Sequence, residues 1–143
     1  MKPLTLIPAI HRAAHAIATF VDADTSLPVT QAEAHVLAHL AARGDCTVGE
    51  IHKEFGHKRS TLTSILNRLE DRSLITCQVN LADKRSLMIG LTQAGNALAD
   101  HILSQLAALE AEIMGAFSPR DQKNALWVLT AVRTVVEKEL PAT

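Results

Sequence analysis

The sequence predicts a mainly α-helical chain that carries one small antiparallel β-hairpin, and three observations lead there. Apolar residues recur at three- and four-residue steps over most of the chain, as in Leu62, Ile65, Leu66 and Leu69, which is the spacing of one helix face. Between residues 75 and 91 the period shortens to two. Ile75, Cys77 and Val79 alternate with Thr76, Gln78 and Asn80, and Leu87, Ile89 and Leu91 alternate again beyond a polar tip, which reads as strand, turn, strand. Finally, 48% of the residues are apolar but only 3% are aromatic, so the core must be built from Ala, Leu, Ile and Val, a composition that suits packed helices. A length of 143 residues suits one domain.

The elements follow in order. Residues 4–22 hold a wide apolar stripe (Leu6, Ile10, Ala14, Ile17, Val21), with Pro3 and Pro8 limiting its start. Thr30-Gln31-Ala32-Glu33 is a capping box and opens a helix to about Ala42, closed by Gly44. Thr47-Val48-Gly49-Glu50 is a second capping box and opens a short helix to about Phe55. Gly56 marks the turn into a helix over about 58–72. The hairpin follows, and Thr92 caps a long helix to about Phe117, with Leu98, Ile102, Leu106, Leu109 and Ile113 as its expected buried stripe. Ser118-Pro119-Arg120-Asp121 starts the last helix, which runs to about Leu140 before Pro141. That helix is apolar on more than one side (Leu126, Trp127, Leu129, Val132, Val135, Val136) and so calls for partners on two sides.

Two helices joined by a short Gly turn make a helix-turn-helix, in which residues 47–55 support and residues 58–72 read. The reader's polar face carries Arg59, Ser60, Thr63, Ser64, Asn67 and Arg68, the side chains that reach phosphates and base edges. A hairpin with Lys84 and Arg85 at its tip, directly behind such a helix, predicts a winged helix. Its helix would enter a major groove and its tip a neighbouring minor groove. The net charge is only −1, but residues 52–90 hold half of the fourteen Lys and Arg against four of the fifteen Asp and Glu. Local charge is what a phosphate backbone meets.

At these residues the chain resembles the MarR family of bacterial transcription regulators. The likeness lies in Ser60-Thr61-Leu62-Thr63, Asn67-Arg68-Leu69-Glu70, Leu74-Ile75, Asp83-x-Arg85, Leu91-Thr92 and Gly95, in this order and spacing, and it extends over nearly the whole chain. Two positions depart from the pattern: Ser73 stands where Gly is usual, and Lys58 where a better N-cap such as Ser is common. The resemblance implies a single MarR-like domain over 1–143, with a winged helix-turn-helix over 30–91 and dimerisation helices over 1–29 and 92–143. It implies a homodimer on a pseudo-palindromic double-stranded DNA operator, acting as a repressor. Lys58, Arg59, Ser60, Thr61, Thr63, Ser64, Arg68, Lys84 and Arg85 are the expected DNA contacts, and Asp83 is expected to orient Arg85.

The input signal is open. In proteins of this kind a small aromatic or apolar acid is the ordinary effector, and His15, Thr19, His35 and His39 are candidate contacts. His11/His15 and His35/His39 are pairs at four-residue spacing, so a zinc-responsive regulator is an alternative. Redox sensing is a third: Cys46 is expected to be partly exposed and Cys77 buried, and the cysteine-bearing first helix of the peroxide-sensing branch has no counterpart here. A winged helix that binds protein rather than DNA would show an apolar or acidic reader face. No cofactor is implied, and no phosphate-binding loop, dinucleotide glycine pattern or nucleophile elbow points to an enzyme. His11, Arg12 and His15 break the N-terminal apolar run that would imitate a secretion signal, so the expectation is a reduced, cytoplasmic protein without membrane spans.

Overall fold

The computed structural model describes residues 1–141. Their elements are α1 (Leu6–Asp22), α2 (Gln31–Arg43), β1 (Cys46–Thr47), α3 (Val48–Phe55), α4 (Arg59–Asp71), β2 (Ile75–Val79), β3 (Leu87–Leu91), α5 (Gln93–Gly115) and α6 (Pro119–Glu139). The chain divides into two compact units, Met1–Leu103 and the segment from Ser104 onward.

The first unit is built around α2, α3, α4 and a small sheet. Both capping boxes form: the Thr30 hydroxyl accepts from the Glu33 amide and the Thr47 hydroxyl from the Glu50 amide, with each Glu carboxylate accepting in return. Leu37, Ile51, Leu62, Ile65, Leu69, Ile89 and Ile102 meet in a fully buried core. Each contributes roughly 1.5–3 kcal/mol relative to exposure. The helix α1 begins two residues ahead of Pro8, which sits in the first turn where amides lack intrahelical acceptors anyway. Only Val21 of α1 is buried.

The hairpin pairs as expected, with Ile75 opposite Leu91, Cys77 opposite Ile89 and Val79 opposite Leu87. A third strand joins it. Residues 46 and 47 pair antiparallel with Ile89 and Met88, giving the order β1-β3-β2. The cysteines are found the other way round from the expectation. Pairing with β3 buries Cys46, whose thiol donates to the Gly44 carbonyl at 3.2 Å, while Cys77 on β2 is only half-buried. Burial raises both thiols above the ordinary value, aided by Glu50 and Asp45 at Cys46, and by Glu70 at Cys77, which is pushed to about 11. Neither is a ready thiolate.

Two turns fix how the reader helix joins its neighbours. Gly56 closes α3 in the left-handed conformation, with φ 65° and its amide on the His52 carbonyl. At the other end, the Leu74 amide reaches the Leu69 carbonyl at 3.0 Å and the Ser73 amide the Glu70 carbonyl at 2.8 Å, a Schellman stop for α4. Ser73 adopts φ 56° there, so the residue that departs from the family's Gly does carry the left-handed backbone. The start of α5 is locked onto this turn. Thr92 donates its hydroxyl to the Ser73 carbonyl at 2.6 Å and its amide to the Leu74 carbonyl at 3.1 Å. A Cβ on Gly95 would lie 1.8 Å from that same Leu74 oxygen, so only Gly fits.

In the second unit, Ser118 caps α6 by accepting from the Asp121 amide, with Pro119 at the first helical position. Gln122 donates to the Met114 carbonyl at 2.7 Å and braces the turn between α5 and α6. Among its described residues α6 buries none, and Trp127 is 72% exposed. The stripe expected on α5 is buried at Ile102, thins through Leu106 and Leu109, and is open by Ile113.

Candidate nucleic-acid interface

Helix α4 places Leu62, Ile65, Leu66 and Leu69 in the core and leaves Arg59, Ser60, Thr61, Thr63 and Ser64 exposed on the other side. Thr63 and Ser64 donate their hydroxyls to the carbonyls of Arg59 and Ser60, so their oxygens face outward as acceptors. Lys58 precedes the helix without a side-chain cap, which leaves the first-turn amides to other acceptors.

The wing tip is an ordered loop. The Asn80 amide donates to the Ser86 carbonyl at 3.0 Å, the Ser86 amide to the Asp83 carbonyl at 3.0 Å, and the Ala82 amide to Asn80 Oδ1 at 3.1 Å. Asp83 accepts from the Arg85 amide and from Arg85 Nε, each at 3.1 Å. The Arg85 hydrogen bonds hold the Asp83 carboxyl below the usual aspartate value. Arg85 itself is 91% exposed, a charge aimed by a carboxylate and offered to solvent. Lys84 beside it is exposed as well.

The reader helix and the wing face each other across a groove of about 480 Å³. Val48 and His52 of α3, Arg59 and Leu62 of α4, and Arg85 and Leu87 of the wing line it. Two guanidiniums from distant parts of the sequence thus share one concavity.

Arg68 is placed differently from the expectation. Its Nε donates to Glu33 Oε1 at 2.7 Å, and Arg72 Nη2 donates to Glu33 Oε2 at 3.0 Å. Arg72 also donates to the Pro28 carbonyl. Glu33 is 2% exposed. Burial alone would raise its carboxyl, but the Arg68 hydrogen bond, the Thr30 amide and the charges of both guanidiniums outweigh burial and leave it below the ordinary value. Arg68 thus ties α4 to the start of α2 while its side chain stays half-exposed.

The two histidine pairs lie on different helices. His11 and His15 stack on α1 at 6.4 Å between ring centroids, and His15 and Thr19 are exposed. On α2, burial lowers the pKa of His35, and His39 meets the Phe55 ring edge-on at 5.4 Å, with His57 stacked on Phe55. Among the described residues no three potential metal ligands cluster. No helix among them is long and apolar enough to cross a membrane.

The family model of the MarR family matches residues 27–86, from the approach to α2 through the wing tip. Over this stretch the chain is similar to the MarR family. MdtR, an HTH-type transcriptional repressor of Bacillus subtilis (strain 168), is 27% identical over 111 residues, 78% of this chain and 72% of MdtR. S. aureus MepR in its DNA-binding conformation superposes with a TM-score of 0.87 at 23% identity, over 93% of this chain and 99% of MepR. S. aureus MepR in complex with DNA gives a TM-score of 0.80 at the same identity and coverage. At that identity the likeness to MepR speaks for the fold, a winged helix with a three-stranded sheet.

Against the MarR pattern, sequence reasoning missed two residues of this site. Glu33 carried a signal, since a capping-box carboxylate on a buried face needs a cation. His52 carried none, because only the folded groove brings it opposite Arg59 and Arg85.

Proposed function

We propose that this MarR-family transcription regulator works as a homodimeric repressor. Each copy sets α4 into a major groove of a pseudo-palindromic operator and Arg85 into the flanking minor groove. The carrying observation is the groove that Arg59 and Arg85 line together, beside an exposed face of Ser and Thr. In this reading Arg59, Ser60, Thr61, Thr63 and Ser64 meet base edges and nearby phosphates. Lys58 and Lys84 hold phosphate, and Arg85, aimed by Asp83, enters a narrow A·T-rich groove. Arg68 reaches phosphate only with the guanidinium atoms that Glu33 leaves. The residues before 30 and after 91 pair two copies so that the reader helices stand about one DNA turn apart, ~34 Å. The protein acts in the cytoplasm, and we assign it no reaction.

Selection of duplexes from a random pool tests this directly. The expected product is two inverted half-sites with centres about one turn apart. Arg85→Ala should weaken binding to the selected duplex and lower the slope of log Kd against log salt by about one. Failure to enrich any duplex would favour a protein-binding winged helix instead, although the polar, basic reader face argues against one.

Release is proposed to come from a small aromatic or apolar acid contacting His15 and Thr19 of α1 and His35 and His39 of α2. Benzoate should then weaken the wild-type complex and spare His35→Ala. Equal response of both proteins removes His35 from that site.

A further inference from the structure

We infer that the groove between α3, α4 and the wing seats one sugar–phosphate strand of the operator, and that His52 is a pH-dependent contact to it. This rests on the DNA-binding reading above and adds a third donor to it. On B-DNA a helix in the major groove and a wing in the adjacent minor groove are separated by one phosphate ridge. The space between α4 and the wing must therefore receive that ridge, and His52 lies in it. The lining matches a backbone in which apolar sugars alternate with phosphates, since Val48, Leu62 and Leu87 stand beside Arg59, Arg85 and His52.

The charged groups facing His52 are Arg59 from α4 and Arg85 from the wing, and no carboxylate is among the lining residues. Asp83, one step outside, is engaged with Arg85. On α3 itself, the Glu50 carboxylate accepts from the Thr47 amide at 2.7 Å. The lining residues of the groove therefore supply no anion of their own. A phosphate seated there supplies the missing anion and favours the protonated ring. Binding then takes up a proton, so operator affinity rises as pH falls through the imidazole range. A neutral ring still donates one N–H to phosphate, so the contact weakens at high pH without vanishing.

The test compares wild type, His52→Gln and His52→Lys on the best duplex selected by the wild-type protein, at pH 6 and pH 8, over a series of salt concentrations. At pH 6 His52→Gln should bind roughly tenfold more weakly, with a salt slope lower by about one. At pH 8 it should match wild type, because Gln keeps a neutral donor. His52→Lys should keep the steeper slope at both pH values. Thermal midpoints identify any variant that fails to fold, and His52→Lys carries the comparison if His52→Gln does. Wild-type slopes in His52→Gln at pH 6, with Arg85→Ala still impaired, would overturn the assignment of His52 and leave the DNA-binding reading standing. Wild-type slopes in both variants would overturn the docking of α4 and the wing as well.

Discussion

The winged helix and the terminal helices use similar amounts of Leu, Ile and Val but finish them differently. Between α2 and β3, Leu37, Ile51, Leu62, Ile65, Leu69 and Ile89 leave almost no surface, and the exposed large apolar residues are confined to the wing, at Val79, Leu81 and Leu87. In α6 the same residue types stay open: Leu126, Leu129, Val135 and Val136 are each more than half exposed. In α1, Leu6, Ile7 and Phe20 are exposed as well. Ordering such a helix costs conformational entropy that burial must offset, and α6 buries nothing among its described residues. One region therefore closes its core within the chain, and the other leaves its apolar surface open. In the proposed homodimer, a twofold partner would cover that surface by presenting the same patch twice.

The sharpest way to break this contrast is a charge on the open surface. Leu129→Glu puts an unpaired carboxylate into the proposed interface, once per copy. Each costs several kcal/mol if buried. The expected result is a monomer at micromolar concentration by sedimentation and a loss of operator affinity of roughly a hundredfold or more. A Leu129→Glu protein that stays dimeric with wild-type affinity would remove this face of α6 from the interface.

The next effect acts inside the closed region. Glu33→Ala leaves Arg68 and Arg72 without the carboxylate that ties α4 to α2. Breaking a fully buried pair costs about 3–5 kcal/mol. Because both guanidiniums are partly exposed, about 2–3 kcal/mol is expected here. The pH dependence follows from the lowered Glu33 carboxyl. Its contribution is fully present above the unfolded value of about 4.5 and is lost as pH falls through the lower folded value. Denaturation in urea across pH 3–6 should show wild type losing stability on acidification more steeply than Glu33→Gln. Parallel curves would mean that the ion pairs contribute nothing net.

Those two regions were unequally legible in the sequence. The capping boxes at Thr30 and Thr47, the Ser118-Pro119 start and the period-two hairpin are local patterns, and each formed where it was read. What escaped was set by partners far along the chain. The strand β1 has two residues and exists only through β3, more than forty residues on, and that pairing buries Cys46, which was expected to be partly exposed. Arg68 was read only as a DNA contact, because its partner Glu33 lies 35 residues earlier. His52 entered the site only when the wing folded over it. The polar face of α4 was readable because helical periodicity alone sorts its two sides.

The smallest expected effect is at the joint between reader helix and wing, where the sequence departs from the MarR pattern. Ser73 holds φ 56°, a region that costs a residue with a Cβ about 1–2 kcal/mol. The Schellman bonds after α4 and the Thr92 hydroxyl on the Ser73 carbonyl keep it there. None of these bonds uses the Ser73 side chain, so Gly keeps every one of them. Gly also gains freedom in the unfolded chain, which returns part of the benefit. Ser73→Gly should therefore stabilise the protein by about 0.5–1 kcal/mol, read as a raised thermal midpoint at fixed protein concentration. Dimer content should not change, because the joint belongs to the closed region. A lowered midpoint would mean that the serine side chain supports the turn rather than merely tolerating it, and a shifted dimer equilibrium would mean that the two regions are coupled through this joint.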